Sequence, residues 1–106
     1  MARPDETTTV ETDPAQGLAT IRGPLELATA NDVRAQVVVF IDALRARELR
    51  LDLSGVDFID SRGLGALLRI RQSAEARGMA VSVTHASAAV RDLLDRTGLG
   101  GSFGIG

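Results

Sequence analysis

The sequence predicts one α/β domain with a mixed β-sheet of four to five strands covered by about three helices. Short alternating or β-branched runs alternate with longer amphipathic runs. They predict the order β-β-α-β-α-β-α, with a short last strand as a further candidate. The chain of 106 residues suits one core, and 44% hydrophobic with 25% charged residues is ordinary globular composition. We expect a flexible tail over residues 1–6 and a single domain over residues 7–106.

A hairpin and a helix are predicted in the first half of the chain. The β-branched residues of Thr7–Thr12 indicate an edge strand, Asp13–Gly17 a turn, and the alternation over residues 18–23 a second strand. Thr29 and Asp32 resemble a capping box at a helix start. The helix that follows has one apolar face, formed by Val33, Val37, Phe40, Ile41 and Leu44.

Two further strands and two further helices are predicted in the second half. Residues 49–53 place leucine at every second position, and residues 79–84 form a second apolar run, so both indicate strands. Residues 101–106, GSFGIG, are the candidate last strand.

Serine and glycine mark the ends of these two helices. Ser61 and Ser87 are the predicted N-caps, because each precedes a run with helical periodicity. Gly78 and Gly98 follow the last periodic residues, where a left-handed conformation ends many helices.

Composition narrows the possible functions. The formal net charge is −2, and the chain has three Phe and neither Trp nor Tyr, so direct binding to nucleic acid is not expected. There is no cysteine, which excludes disulfides and thiolate chemistry. The longest aliphatic or aromatic run, Val37–Ile41, is too short to span a bilayer, and the first residues lack a signal-peptide core. We expect a cytoplasmic protein that does not bind membranes.

The stretch VDFIDSRGLGALL, Val56–Leu68, contains the residues best suited to catalysis, ligand binding or modification. A hydrolase would need Ser61 as nucleophile and His85, the single histidine, as base. Ile59 stands where a nucleophile elbow has glycine, so His85 is better interpreted as an ordinary loop residue.

Residues in or near this stretch offer two kinds of ligand site. Asp52, Asp57 and Asp60 could attract a divalent cation, but they lack calcium-loop spacing and are better interpreted as solvated or turn-forming carboxylates. Gly63 and Gly65 follow a strand, yet the third glycine of a dinucleotide loop and a P-loop lysine are missing. We therefore predict no metal site and no cofactor.

Ser61 has a structural and a regulatory interpretation. As an N-cap it would accept a backbone N–H and stabilise the helix by about 1 kcal/mol. A helix N-terminus also tolerates an added phosphate, since it offers free N–H groups and a positive dipole end. The two roles are compatible.

Leu51–Leu68, LDLSGVDFIDSRGLGALL, resembles the STAS domain pattern Asp-Leu-Ser-x-Val-x-Phe-Ile/Met-Asp-Ser-x-Gly-Leu-Gly nearly residue for residue. Ile21–Ala30 resembles the family's second-strand segment and Val90–Leu99 the end of its third helix. The resemblance spans roughly residues 18–105 and is strongest to the bacterial anti-sigma-factor antagonists.

This resemblance implies a non-enzymatic, phosphorylation-switched binding protein that regulates transcription indirectly. Its partners would be an anti-sigma-factor serine kinase, which phosphorylates Ser61 and so ends the complex, and a serine phosphatase that resets it. The added charge would be repelled beside Asp57 and Asp60 in a docked interface. The partner-binding residues implied are Gly23, Glu26, Asp57, Asp60, Ser61, Arg62, Gly63, Leu64 and Gly65.

The sequence departs from the family pattern at three residues and at its end. Pro24 stands where the family usually has Glu, Glu26 where it has Asp, and Arg62 where Ser or Thr is common. The family usually continues into a last helix, which we expect to be missing here.

Two other STAS interpretations stay open. In one, the domain is a scaffold in a larger signalling or transporter assembly, and Ser61 is only a cap. In the other, it is a module that binds a small ligand or a nucleotide.

Overall fold

A computed structural model describes residues 7–104 of the chain. The predicted tail, residues 1–6, lies outside this range, as do residues 105 and 106. The elements, in chain order, are β1 Thr9–Asp13, β2 Leu18–Arg22, α1 Ala30–Ala43, β3 Glu48–Gly55, α2 Ser61–Glu75, β4 Ala80–Ala86, α3 Ala88–Thr97 and a 3-10 turn at Gly101–Phe103. This order confirms the predicted α/β class with three helices.

The four strands form one mixed sheet in the order β1-β2-β3-β4. The hairpin strands β1 and β2 are antiparallel, whereas β2, β3 and β4 run parallel. Parallel neighbours need a crossover. Helix α1 makes the crossover from β2 to β3, and α2 makes the one from β3 to β4. Because β2 and β3 are parallel, their carboxyl ends lie at the same end of the sheet, and the chain leaves that end to enter α1 and α2. The candidate site lies at this end.

Alternation along β3 separates the core from solvent. Leu49, Leu51 and Leu53 are fully buried, while Arg50 and Ser54 are exposed. The buried leucines join one hydrophobic cluster with residues of α1 and α2. The apolar stripe predicted for α1 is confirmed: four of its residues are buried, and Phe40 is half-buried against the same cluster.

The predicted capping box at the start of α1 does not form. Helix α1 does begin after Thr29, but the threonine hydroxyl makes no cap hydrogen bond. It donates instead to the Pro24 carbonyl at 2.8 Å and accepts the Glu26 N–H at 3.1 Å. The hydroxyl therefore stabilises the turn before the helix rather than the helix itself.

A fifth strand is absent from residues 7–104. The segment Gly101–Phe103 forms a 3-10 turn, and Gly104 follows it in the left-handed region at φ +69°. Phe103 is fully buried, with the Arg71 guanidinium carbon 5.1 Å from its ring centre. Burial of this one ring, together with the glycines around it, favours a turn over an extended strand.

Candidate functional site

Helix α2 begins at the corner where β3 ends, and an aspartate caps it. Asp60 is the N-cap: one carboxylate oxygen accepts the N–H groups of Arg62 and Gly63, both at 2.9 Å. Ser61 is the first helical residue, so the prediction that Ser61 is the N-cap is wrong. The Ser61 side chain is exposed, and its hydroxyl makes no hydrogen bond within residues 7–104.

The same aspartate joins the helix to the loop before α1. The second Asp60 carboxylate oxygen accepts the Leu27 N–H at 3.3 Å, and the Asp60 N–H donates to the Leu25 carbonyl at 3.3 Å. The Leu25 N–H in turn donates to the Phe58 carbonyl at 2.9 Å. These bonds hold the 23–29 loop and the start of α2 as one unit, which we call the Ser61 corner (residues 23–29 and 57–65).

Two of the predicted partner-binding glycines have structural reasons to be glycine. A Cβ on Gly63 would lie 2.1 Å from the Leu25 carbonyl oxygen, so the loop packs directly on the helix backbone. Gly23 has φ +103°, and a Cβ there would lie 2.9 Å from the Thr7 carbonyl oxygen. Gly63 is buried and Gly23 half-buried, so both positions are in close packing, and their partner-binding role stays a prediction.

Gly65 differs, because it opens onto a groove between α1 and α2. A Cβ on Gly65 would meet nothing within 4 Å. The groove has a volume of about 260 Å³ and is lined by Leu27, Ala30, Asn31, Arg34, Ser61, Arg62, Gly65, Ala66 and Arg69. We call it the Ser61 groove.

The charged residues of the Ser61 groove are arginines. Arg34 comes from α1, and Arg62 and Arg69 come from α2. Neither Asp57 nor Asp60 lines the groove. On its groove side, Ser61 is therefore accompanied by cationic side chains. The repulsion expected from Asp57 and Asp60 concerns a docked interface and stays a prediction.

The other predicted site residues lie around the corner in different roles. The Glu26 carboxylate is half-buried and accepts the Ala28 N–H at 2.9 Å, while Asp57 is exposed. Leu64 is partly buried and packs against the core.

Two exposed apolar side chains of the Ser61 corner were not predicted as site residues: Leu27 is 63% exposed and Phe58 is 54% exposed. Both leave apolar area exposed beside the polar groups of the corner.

His85 does not form a catalytic pair with Ser61. It lies on β4 opposite Asp52 of β3, so the interpretation as a loop residue is wrong: the strand continues to Ala86. Its Nδ1 is 3.3 Å from the Thr84 hydroxyl. His85 is not among the residues that line the Ser61 groove, and no hydrogen bond within residues 7–104 joins it to Ser61. Among the described residues, His85 is therefore not placed as a base for Ser61.

The three aspartates that could form a cation site have different surroundings. Asp52 accepts both the N–H and the hydroxyl of Ser54, at 3.0 and 2.7 Å. Partial burial raises the pKa of the Asp52 carboxyl, but the two Ser54 hydrogen bonds, with the charges of His85 and Arg22, outweigh it and leave the pKa below its ordinary value. Within the described range, no three carboxylate or histidine side chains are grouped as a metal site.

No helix in the described part of the chain is both long and apolar enough to cross a lipid bilayer.

At the start of α2, the N–H groups that could bind a nucleotide phosphate are already occupied, since Asp60 accepts those of Arg62 and Gly63.

Several solved structures share this architecture. An anti-sigma factor antagonist from Mycobacterium paratuberculosis matches with a TM-score of 0.73 and 25% identity, over 97% of this chain and 87% of that one. The anti-sigma factor antagonist SpoIIAA in its unphosphorylated form matches at 0.71 and 23%, over 90% and 84%. The phosphorylated form of SpoIIAA, a Bacillus cell fate determinant, matches at 0.62 and 22%, over 90% and 86%.

A transporter has the same fold within a much longer chain. SLC26A9 matches with a TM-score of 0.67 and 23% identity, over 81% of this chain and 17% of that one. Identities this low establish the fold alone. The family is established separately, because the model of the STAS domain matches residues 7–106. This chain therefore belongs to the STAS domain family.

Proposed function

We propose that this protein is an anti-sigma-factor antagonist that binds an anti-sigma-factor serine kinase and is switched off by phosphorylation of Ser61. The observation that carries the proposal is the state of the Ser61 side chain. It is exposed at the first turn of α2, and because Asp60 caps the helix, the hydroxyl has no structural bond to give up. A kinase can therefore modify it without breaking the fold.

The chemistry at Ser61 is a simple group transfer. The hydroxyl oxygen attacks the γ-phosphorus of the kinase's ATP, the new Oγ–P bond forms, and the bond from that phosphorus to the bridging oxygen breaks. ADP leaves, and the hydroxyl proton passes to the kinase or to solvent. The chain gains about −1.5 to −2 charges at this point.

The proposed docking surface is the exposed part of the Ser61 corner. Leu27 and Phe58 supply apolar contact area, and Asp57 and Arg62 supply exposed charge. Contact residues of this kind concentrate binding energy when a partner excludes water from them. A doubly charged phosphoserine among them leaves a charge that the partner must desolvate, which costs affinity.

Phosphate mapping tests the switch. The protein is incubated with ATP and each candidate anti-sigma-factor kinase, and the phosphate is located by mass spectrometry. We expect phosphate on Ser61 in the wild type and none in Ser61→Ala. Phosphate on another residue, or none with any kinase, contradicts the proposal.

Binding measurements test the consequence and the main alternative. We expect Ser61→Ala to keep kinase affinity within about twofold and Ser61→Asp to lose about tenfold or more, which is 1.4 kcal/mol. Ser102→Asp is the matched control, since it adds the same charge at an exposed serine outside the corner. If Ser61→Asp binds as tightly as wild type, the domain is better described as a scaffold, as in the alternative of a larger signalling or transporter assembly.

A further inference from the structure

We propose that a phosphoryl group on Ser61 is held by the chain's own arginines, Arg34 of α1 with Arg62 and Arg69 of α2, in the Ser61 groove. This inference rests on the proposed modification of Ser61 and concerns what the modified side chain contacts. It assigns a role to Arg34 and Arg69, which lie outside the motif stretch Leu51–Leu68.

The helix backbone cannot be the main counter-charge for the phosphate. The N–H groups of Arg62 and Gly63 already donate to Asp60, and the Leu64 N–H donates to the Asp60 carbonyl at 2.9 Å. Of the first four N–H groups of α2, only that of Ser61 is left within the described residues. A dianion at Ser61 therefore needs side-chain partners.

Three arginines are available in the groove that Ser61 itself lines. None of Arg34, Arg62 and Arg69 forms a salt bridge with a carboxylate among residues 7–104. Arginine presents a planar fork of donors that matches the oxygens of a phosphate, so it is the side chain best suited to this role.

The shape of the groove leaves space for the phosphoryl group. Ala30 and Ala66 form its base with small side chains, each 5% exposed, and Gly65 adds no side chain. Its volume of about 260 Å³ is several times the ~30 Å³ of one water molecule in the liquid. A phosphate can enter without moving either helix.

Helix geometry directs Arg69 toward Ser61. Arg69 follows Ser61 by two turns on the same side of α2, and Gly65 lies between them. Side chains on a helix point toward its N-terminus, so the Arg69 side chain extends back over Gly65. Arg34 approaches from α1, so the phosphate would link the two helices and would occupy the groove that a partner could otherwise enter.

The acidic side chains near Ser61 are directed to backbone donors or lie outside the groove. The Asp60 carboxylate accepts three N–H groups, and the Glu26 carboxylate accepts one. Asp57 is exposed and lies outside the groove lining. The groove side of Ser61 is therefore the cationic side.

Genetically encoded phosphoserine at position 61 allows a test without any kinase. The second pKa of the phosphate is followed by ³¹P NMR titration in the wild-type background and in Arg34→Gln and Arg69→Gln backgrounds. In the wild type we expect a pKa roughly half a unit or more below the ordinary value of about 6. Each substitution is expected to raise it toward that value.

Controls separate local charge from general effects. Arg91→Gln removes the same charge from an exposed site on α3 and is expected to leave the titration unchanged. Arg69→Lys keeps the charge and is expected to retain part of the shift. A phosphate pKa that is the same in wild type, Arg34→Gln and Arg69→Gln overturns the proposal, and so does an equal effect of Arg91→Gln.

Thermal unfolding supplies a second readout. Because the phosphate would link α1 to α2, phosphoserine is expected to raise the Tm of the wild type more than that of the Arg34→Gln/Arg69→Gln double variant. Equal changes in both overturn the proposal. A kinase that ignores Ser61 would instead count against the proposed function and leave both of these measurements valid.

Discussion

Helices α2 and α3 both follow a parallel strand of the mixed sheet, and both have a serine at their start, but the two serines differ in what their hydroxyls do. Ser87 caps α3: its hydroxyl accepts the Val90 N–H at 3.2 Å and donates to the Val56 carbonyl. At α2 the capping is done by Asp60, and Ser61 comes one residue later with an unengaged hydroxyl. At α2, capping and the proposed modification thus fall on two different residues.

This division has a physical advantage for a switch. A capping hydroxyl that receives a phosphate loses its own hydrogen bonds, so modification and stability are coupled. A carboxylate cap removes that coupling, since it has two oxygens that accept several N–H groups at once. Ser61 can then change its charge while the helix start stays in place.

The largest expected effect is at Gly63, where the Ser61 corner depends on close backbone packing. Gly63→Ala places a Cβ 2.1 Å from the Leu25 carbonyl oxygen, a backbone atom that cannot move alone. We expect a loss of about 3 kcal/mol in the free energy of unfolding, measured by urea denaturation.

Gly65→Ala is the matched control, two residues further along the same helix. Its Cβ meets nothing within 4 Å, so the better helix propensity of alanine should stabilise the protein by about 0.5–1 kcal/mol. Equal effects of the two substitutions would contradict the packing role given to Gly63.

The two caps come next in size. Asp60→Ala and Ser87→Ala should each lower the free energy of unfolding by about 1–2 kcal/mol, because each leaves backbone N–H groups at a helix start without a partner. Urea denaturation measures both losses. Asp60→Asn should recover most of the loss, since the amide oxygen still accepts the Arg62 and Gly63 N–H groups. If Asp60→Ala has no effect, Asp60 is not the cap of α2.

A third serine, Ser54 at the end of β3, differs from Ser61 because its hydroxyl donates a hydrogen bond to an aspartate, Asp52. Asp52 accepts from Ser54, and the pKa of its carboxyl lies below the ordinary 3.8. A lowered carboxyl pKa contributes stability above the unfolded-state pKa and loses it as pH falls through the folded-state value. Asp52→Asn should therefore cost a few tenths of a kcal/mol at pH 7, because this exposed site is screened.

The pH dependence is the sharper measurement of Asp52. Urea denaturation of wild type and Asp52→Asn should give converging free energies of unfolding below about pH 4, where the carboxyl becomes protonated. A difference that is the same at pH 7 and pH 3 would show that the substitution acts through packing rather than charge.

Much of the fold follows from local patterns in the sequence. Leu49, Leu51 and Leu53 alternate because one face of β3 is buried, and Gly78 and Gly98 end their helices at φ +78° and +72° as predicted. The N-cap of α2 could not be chosen in the same way. Asp60 and Ser61 are adjacent and both residue types are strong N-caps, so only the backbone conformation decides between them.

The candidate site depends on contacts that local patterns do not contain. Arg34 reaches the Ser61 groove only because α1 packs beside α2, and its own sequence neighbourhood gives no signal of this. Arg69 does have one, since it follows Ser61 and Gly65 at helical spacing. The candidate last strand over residues 101–106 is a 3-10 turn in its described part, because the glycines around Phe103 permit a turn that buries the ring.

The smallest expected change in stability is also the one that most directly tests the difference between the two serines. Ser61→Ala removes an exposed hydroxyl with no hydrogen bond in the described range, and alanine is a good helix former, so the free energy of unfolding should change by less than about 0.5 kcal/mol. Ser87→Ala, measured by the same urea denaturation, should lose several times more. If Ser61→Ala costs as much as Ser87→Ala, the Ser61 hydroxyl is part of the helix cap. Phosphorylation would then be coupled to the stability of α2.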